Sequence, residues 1–238
     1  MLRFLREINP SQIRIAEANR RFAERIPAGA LVLDAGAGTA PYRHLFAHAR
    51  YETADFTQLD IEYAQQTYVC DLAAIPVEDA RFDFIVFNQV MEHLPEPFAA
   101  LREFHRVLKP GGRIIYTAPL FYEEHNQPYD FYRYTQFGVR HLFSKAGFEI
   151  ESLERLDGFF GTLGYVFLAA ARNLPTDAAR FGGGWRGRSA WLGVHLTRVL
   201  CRIAAPLFQR LELRVKVVDR GFSTNYLAIV RKPEAAAS

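Results

Sequence analysis

Cysteine is scarce: Cys70 and Cys201 are the only two in 238 residues, too few and too far apart for a disulfide framework or a four-cysteine zinc site. A reducing, cytoplasmic setting is the expectation. Long hydrophobic runs are missing too. The longest nearly charge-free stretch, Gly158 to Ala171, is shorter than the roughly 20 residues of a spanning helix and reads as core or interfacial. The opening Met1-Leu2-Arg3-Phe4-Leu5-Arg6-Glu7 lacks the apolar core and small-residue cleavage site of a secretory leader, so export is not expected. Low-complexity tracts and solenoid-length repeats are absent. What remains is a globular composition, half hydrophobic with a net charge of +3, long enough for one α/β domain with a substantial core and a small insertion.

Asn9 is a candidate N-cap and Pro10 suits the first helical position; Ile13, Ala16, Phe22, Ala23 and Ile26 continue an apolar face, so residues 1–29 read as an N-terminal helical segment. Ala30 to Leu33 is a buried strand that ends at Asp34 and glycines, and a helix around Arg43 to Ala49 is expected next. The runs Tyr51 to Ala54, Thr67 to Cys70 and Phe82 to Phe87 each stop at a polar residue: Asp55, Asp71 and Asn88. Pro97 to Val107 is amphipathic and is terminated by Leu108-Lys109-Pro110-Gly111-Gly112 before a strand at Arg113 to Thr117. A helix from Thr135 to Ala146, closed by Gly147, precedes a strand at Phe148 to Glu154, and Asn225 to Val230 is the last strand. Alternating strands and helices predict a mostly parallel sheet, with residues 157–220 as an insertion.

In such a sheet, ligands bind beyond the carboxyl ends of the strands, where a glycine turn lets backbone approach a nucleotide-like group. Asp34-Ala35-Gly36-Ala37-Gly38 meets that demand, although a Gly-x-Gly pair also serves ordinary turns. Asp55 follows Asp34 by 21 residues and is suited to accept hydrogen bonds from ribose hydroxyls. Asp71-Leu72 offers a carboxylate to an adenine amino group and an apolar face to its ring; Asp71 equally suits a cap.

The ordered set Val32 to Gly38, Asp55, Asp71-Leu72, Phe82 to Val86, Met91-Glu92-His93-Leu94 and Arg106 to Gly112 resembles the class I S-adenosylmethionine-dependent methyltransferases. The resemblance covers about residues 30 to 155 and the last strand. It implies a Rossmann-like three-layer sandwich, a seven-stranded, mostly parallel sheet with an antiparallel last strand and a helical insertion before it; the methyltransferase domain is then 30–156 with 221–233. It further implies S-adenosylmethionine as cofactor, its amino acid end near Asp34, Gly36 and Gly38, its ribose at Asp55, its adenine near Asp71 and Leu72, and Asn88 and Gln89 bordering the methionine portion. Thr39-Ala40-Pro41 departs from the third glycine many members carry. A nicotinamide dehydrogenase is the competing reading, but the fuller Gly-x-Gly-x-x-Gly fingerprint is missing.

The segment Pro119 to Thr135 should border the cleft on the acceptor side. Within it His125 is the candidate general base, Asp130 its orienting carboxylate or an ion-pair partner of Arg133, and Tyr134 part of an aromatic wall. Glu92-His93 resembles part of the metal site of small-RNA 2′-O-methyltransferases, but Gln89 stands where that motif has glutamate, so no metal ligand is assigned. The stretch 158–216 carries nine basic residues against Asp177 and Glu212. His195, Arg198 and Arg202 lie there beside an apolar face of Leu192, Leu196, Val199, Leu200, Ile203 and Leu207, which suits an anionic lipid surface or acceptor, or a second copy in a homodimer. The expected activity is methylation, on oxygen, of a small, lipid-linked or sugar-linked acceptor, with peripheral contact at the inner membrane face through 157–220. A noncatalytic binding module of the same fold, or a metal-assisted RNA 2′-O-methyltransferase, is the alternative. Nucleic acid is disfavoured, since no recognisable RNA-binding module accompanies the arginines.

Overall fold

The computed structural model describes residues 8–59 and 62–234. Two compact units result: one comprises Arg14–Leu156 and the chain from Asn225, the other Asp157–Thr224 and the residues up to Ile13.

The first unit is built on seven strands: β1 (Leu31–Ala35), β2 (Arg50–Asp55), β3 (Tyr68–Val69), β4 (Phe82–Asn88), β5 (Leu108–Pro119), β6 (Glu149–Arg155) and β7 (Asn225–Arg231). Their order is β3-β2-β1-β4-β5-β7-β6, with β7 antiparallel to both neighbours. The sheet is parallel from β3 through β5.

Alternation along the central strands sends side chains to two separate cores. Leu33, Ile85, Phe87, Ile114 and Tyr116 meet Leu101 and Phe104 of α2 (Pro97–Val107) and Val139 and Phe143 of α3 (Gln136–Lys145). Val32, Val86 and Ile115 point the other way, toward Ile15, Ala18 and Phe22 of α1 (Pro10–Ala23). Burial on both faces is why β1 reads as a continuous apolar run rather than an alternating one. The sandwich of helix, sheet and helix anticipated for this unit is present.

Local signals account for most boundaries. Asn9 caps α1 by accepting from the Gln12 amide at 3.2 Å, and Thr135 caps α3 by accepting from Gly138 at 3.2 Å. Two boundaries differ from expectation. The helix anticipated at Arg43 to Ala49 is a single 3₁₀ turn, Arg43–Phe46. Ala40 sits at φ 50° and Pro41 lacks an amide, so the chain leaves β1 through a turn and not a helical start. β5 begins at Leu108 instead of Arg113. Gly112 makes that possible, because a Cβ there would meet the Asp83 carbonyl at 2.9 Å, and the β4 to β5 register shifts at this point.

The second unit holds α4 (Phe159–Asn173), a short 3₁₀ helix at Ala178–Phe181, and the 31-residue α5 (Gly184–Arg214). Glu212, fully buried, accepts from the amides of Gly158 (2.7 Å) and Gly161 (3.0 Å), placing a carboxylate on the positive end of α4. Gly164 allows close packing: a Cβ would lie 2.9 Å from the Gln209 side chain. No helix among the described residues is long and apolar enough to cross a membrane.

Candidate active site

A cavity of about 620 Å³ opens at the carboxyl ends of β1 to β4, within the size range of small-molecule sites. Its floor is the turn after β1. Gly36 lies at φ +76° and donates to the Ala54 carbonyl at 2.8 Å. Its missing side chain matters, since a Cβ would fall 2.4 Å from Val90. Gly38, at φ +51°, faces open space and donates to Asp55 Oδ2 at 2.9 Å.

Asp55 ends β2 and holds the turn from the other side. Its Oδ1 accepts from Thr57 at 3.0 Å, so two backbone donors fix the carboxylate. A carboxylate has about four acceptor positions, which leaves about two for a ligand's hydroxyls. Asp71 and Leu72 line the cavity beyond β3. Asp71 accepts from Ala73 at 2.8 Å, so it serves a local turn while it faces the pocket. A local turn bond and a place on the cavity wall coexist there.

Gln89 lines the cavity from β4 at φ 57°, with Nε2 donating to Asn225 Oδ1 (3.0 Å) and Thr117 Oγ1 (3.2 Å). Asn88 does not line it: its amide bonds Asn19 (2.8 Å) and Thr117 (2.9 Å) beneath the site. Asp34 is also set back. It is 5% exposed and takes the Tyr51 hydroxyl as donor. Burial, with Asp55 nearby, pushes its carboxyl up to about 7 despite that hydrogen bond.

The raised value fixes a sign. Folded Asp34 keeps a proton that the unfolded chain releases near pH 4, so its contribution is full below that pH and is lost as the pH climbs toward 7. Asp34→Asn keeps an acceptor for Tyr51 and removes the titration. We expect wild-type stability, relative to this variant, to fall by about 3 kcal/mol across that window; parallel melting profiles from pH 5 to 8 would show Asp34 already ionised in the fold.

The loop after β5 borders the cavity. Tyr129 packs edge-on against Phe56, at 5.4 Å between ring centroids, and its hydroxyl donates to Gln58 at 3.2 Å. Asn126 and Phe131 also line the pocket. Asp130 is held away from it: its side chain is 4% exposed, bound by both Arg133 terminal nitrogens (2.6 and 2.8 Å) and by the His125 amide (2.8 Å). The Arg133 guanidinium holds this carboxyl down at about 2. Tyr134 is in the core, its hydroxyl donating to the Met91 carbonyl at 3.1 Å. Of the candidates His125, Asp130 and Tyr134, only His125 stands at the rim, stacked edge-on with His93 at 4.7 Å and Tyr122 at 5.1 Å.

Residues 33–116 match the family model of a methyltransferase domain. Over that stretch the chain is similar to the class I S-adenosylmethionine-dependent methyltransferases. A malonyl-(acyl-carrier protein) O-methyltransferase from Pseudescherichia vulneris is 34% identical over 108 residues, 41% of this chain and 41% of that protein. A ubiquinone/menaquinone biosynthesis C-methyltransferase from Desulfotalea psychrophila is 29% identical over 101 residues, 37% of this chain and 41% of its own length. The chain thus spans about two fifths of the length of these curated relatives. The crystal structure of the (4+2)-cyclase SpnF matches with a TM-score of 0.55 at 22% identity, covering 92% of this chain and 82% of that one. A cyclase on a methyltransferase-like fold means that architecture alone does not specify the reaction.

Gly36, Gly38, Asp55, Asp71, Leu72 and Gln89 come together around one cavity, whereas Asp34, Asn88 and Tyr134 stand behind it. His93, Asn126 and Tyr129 line it from two different loops; of these, Asn126 had no role in the sequence reading. His93 follows the strand end at Asn88 by five residues, a position that puts it at the same rim. Beside it lies a further surprise. Glu92 is fully buried, with both carboxyl oxygens lacking a partner beyond the pull of its own backbone amide. Burial pushes this carboxyl up to about 8, and an unpartnered buried polar group of this kind costs about 1–3 kcal/mol.

Proposed function

We propose that the protein transfers the methyl group of S-adenosylmethionine to an oxygen of a small, lipid-linked or sugar-linked acceptor. The supporting observation is the cavity at the strand ends, where Gly36, Gly38, Asp55 and Leu72 face one another. The sulfonium donor, when bound, supplies a methyl group already activated for displacement. The protein's own task is then placement. Asp55 offers its remaining acceptor positions to the ribose hydroxyls, and the side-chain-free turn at Gly36 and Gly38 admits the amino acid portion. Leu72 supplies an apolar surface to the base, with Asp71 next to its exocyclic amine. On the acceptor side, His125 with its neighbour His93 handles the hydroxyl that is to be methylated, while Asp130 positions His125 through the backbone amide it accepts.

The second unit supports an acceptor presented at an anionic lipid surface. Leu192, Leu196, Val199, Ile203 and Leu207 recur along α5 at steps of four, three, four and four, the spacing of one helical face. They are all exposed, Leu196 by 54% and the adjacent Leu200 by 65%. Cys201, Ala205 and Glu212 occupy the buried side. Seven basic side chains between Arg186 and Arg214 on this helix, counting His195, accompany a single acid, Glu212. If each half-exposed aliphatic chain contributes about 1 kcal/mol on burial, six exceed the roughly 4 kcal/mol that corresponds to millimolar affinity.

The test has two arms. Calorimetry with S-adenosylhomocysteine asks whether the cavity holds the nucleoside; methyl release is then assayed on acceptors in solution and on lipid-linked acceptors in phosphatidylglycerol vesicles. Expected are saturable nucleoside binding, co-sedimentation with the anionic vesicles, and loss of sedimentation in Leu196→Glu/Leu200→Glu. Absence of nucleoside binding would overturn the methyltransferase reading. Self-association through α5 with no vesicle binding would overturn the lipid-surface reading alone.

A further inference from the structure

The geometry points to a divalent-cation site formed by Glu92, His93 and His125 at the acceptor rim, suited to a first-row transition ion. One ligand atom from each residue lies within 4.8 Å of the other two, although Glu92 and His93 follow β4 and His125 belongs to the loop after β5. Bonds of about 2.0–2.2 Å put ligand atoms roughly 3–4 Å apart, so side-chain closure of about 1 Å is required. One carboxylate and two imidazoles are the donor set that zinc, manganese, iron and cobalt accept.

Three independent observations single this cluster out. Glu92 is the buried carboxyl with no hydrogen-bond partner for either oxygen; a cation would supply the missing interaction. His93 Nδ1 lies 2.5 Å from the Tyr129 carbonyl, which makes Nδ1 the protonated nitrogen and leaves Nε2 a lone pair, 3.9 Å from Glu92 Oε1. His125 repeats the pattern, its Nδ1 lying 3.1 Å from the Glu123 carbonyl. Histidines that bind metals are oriented in this way, by a carbonyl or carboxylate at the other ring nitrogen. The groups that face the cluster agree in charge. Asp130 and Arg133 neutralise one another through two hydrogen bonds, so an ionised Glu92 leaves the pocket with one net negative charge. The Asn126 amide sits 3.3 Å from His93 Nε2 and must turn aside on binding.

Glu92, His93 and His125 supply three ligands, which leaves further coordination positions for oxygens. Because His93 and Asn126 line the donor cavity, an acceptor carrying neighbouring oxygen atoms, such as a catechol, a vicinal diol or a hydroxy acid, is the substrate class this ion would orient. That substrate class rests on the methyltransferase reading; the cation site does not.

The experiment uses the full, tag-free chain, stripped with chelator, and titrates Co²⁺ and Zn²⁺ near neutral pH by calorimetry and by the visible absorption of bound Co²⁺. One site per chain is expected, with Glu92→Gln, His93→Ala and His125→Ala each weakening it about 100-fold or more, because second-shell partners alone are worth 10–100-fold. S-adenosylhomocysteine titrated into each variant reports on folding; His125→Ala, at the exposed rim, carries the test if Glu92→Gln is unstable. Wild-type protein that binds the nucleoside but takes up no Co²⁺ or Zn²⁺, or a site that survives both Glu92→Gln and His125→Ala, would overturn the inference while leaving the methyltransferase reading intact. Metal uptake without nucleoside binding would do the reverse.

Discussion

Gly36→Val is expected to abolish measurable S-adenosylhomocysteine binding and to lower the melting temperature by about 5–15 °C. Two effects add at this position. A β-branched residue at φ +76° costs roughly 1–2 kcal/mol, and a Cβ there would stand 2.4 and 2.5 Å from the two γ-carbons of Val90, an overpacking that costs about 1–3 kcal/mol. For a chain of this length each kcal/mol corresponds to about 2–4 °C. Relief of the overlap displaces Val90, which itself lines the cavity, so stability and binding fail together. Gly29 provides the control. It shares φ +76° but has nothing within 4 Å of its virtual Cβ, so Gly29→Val should show the backbone penalty alone with nucleoside affinity unchanged. Adding Val90→Ala to Gly36→Val should restore part of the stability. If both glycine variants melt alike and bind alike, the close approach of the two segments is not what makes the turn.

Asp55→Ala is expected to weaken S-adenosylhomocysteine binding about 100-fold. Hydrogen bonds to a charged acceptor contribute about 1.5–3 kcal/mol each, and in the proposed role this carboxylate serves the ligand while it anchors Gly38 and Thr57. Asp55→Asn retains one acceptor oxygen and should fall between, near 10-fold. A loss of affinity could arise from the loosened turn alone, so the deciding comparison uses the 2′-deoxy analogue of the ligand. Removing the hydroxyl should cost wild type about 10-fold and Asp55→Ala almost nothing, because the two changes delete the same contact. Equal penalties in both backgrounds would show that the carboxylate anchors the loop without touching the sugar.

Much of this site was readable because its residues sit where strands stop. In a parallel sheet every strand presents its carboxyl end to the same edge, so Asp55, Asp71 and Gln89 reach one edge once the strands before them are recognised. The strands themselves were visible as buried apolar runs, and α2 and α3 as amphipathic segments with caps. Legibility ended where tertiary contacts take over. Asp34 and Asn88 occupy the expected strand ends, yet Tyr51 claims one and Asn19 with Thr117 the other. Asp130 had two readings, an orienting carboxylate or an ion-pair partner of Arg133, and only the folded loop brings both Arg133 nitrogens onto its oxygens. Tyr134 is one of several aromatics in its loop, and only packing against the sheet decides that it is the one tucked into the core.

The amino-acid sequence by itself determined the layered sheet, the glycine turn after β1 and the cavity-facing carboxylates, since these depend on hydrophobic period, on φ angles that favour glycine, and on what ends each strand. Only the tertiary structure decided that Glu92 and His93 would meet His125, and that Glu92 would do so buried and unpartnered. Residues 32 positions apart come together there because β4 and β5 are adjacent and parallel, so the loops that leave them share one rim. That proximity is a property of the folded sheet, and local spacing carries no trace of it.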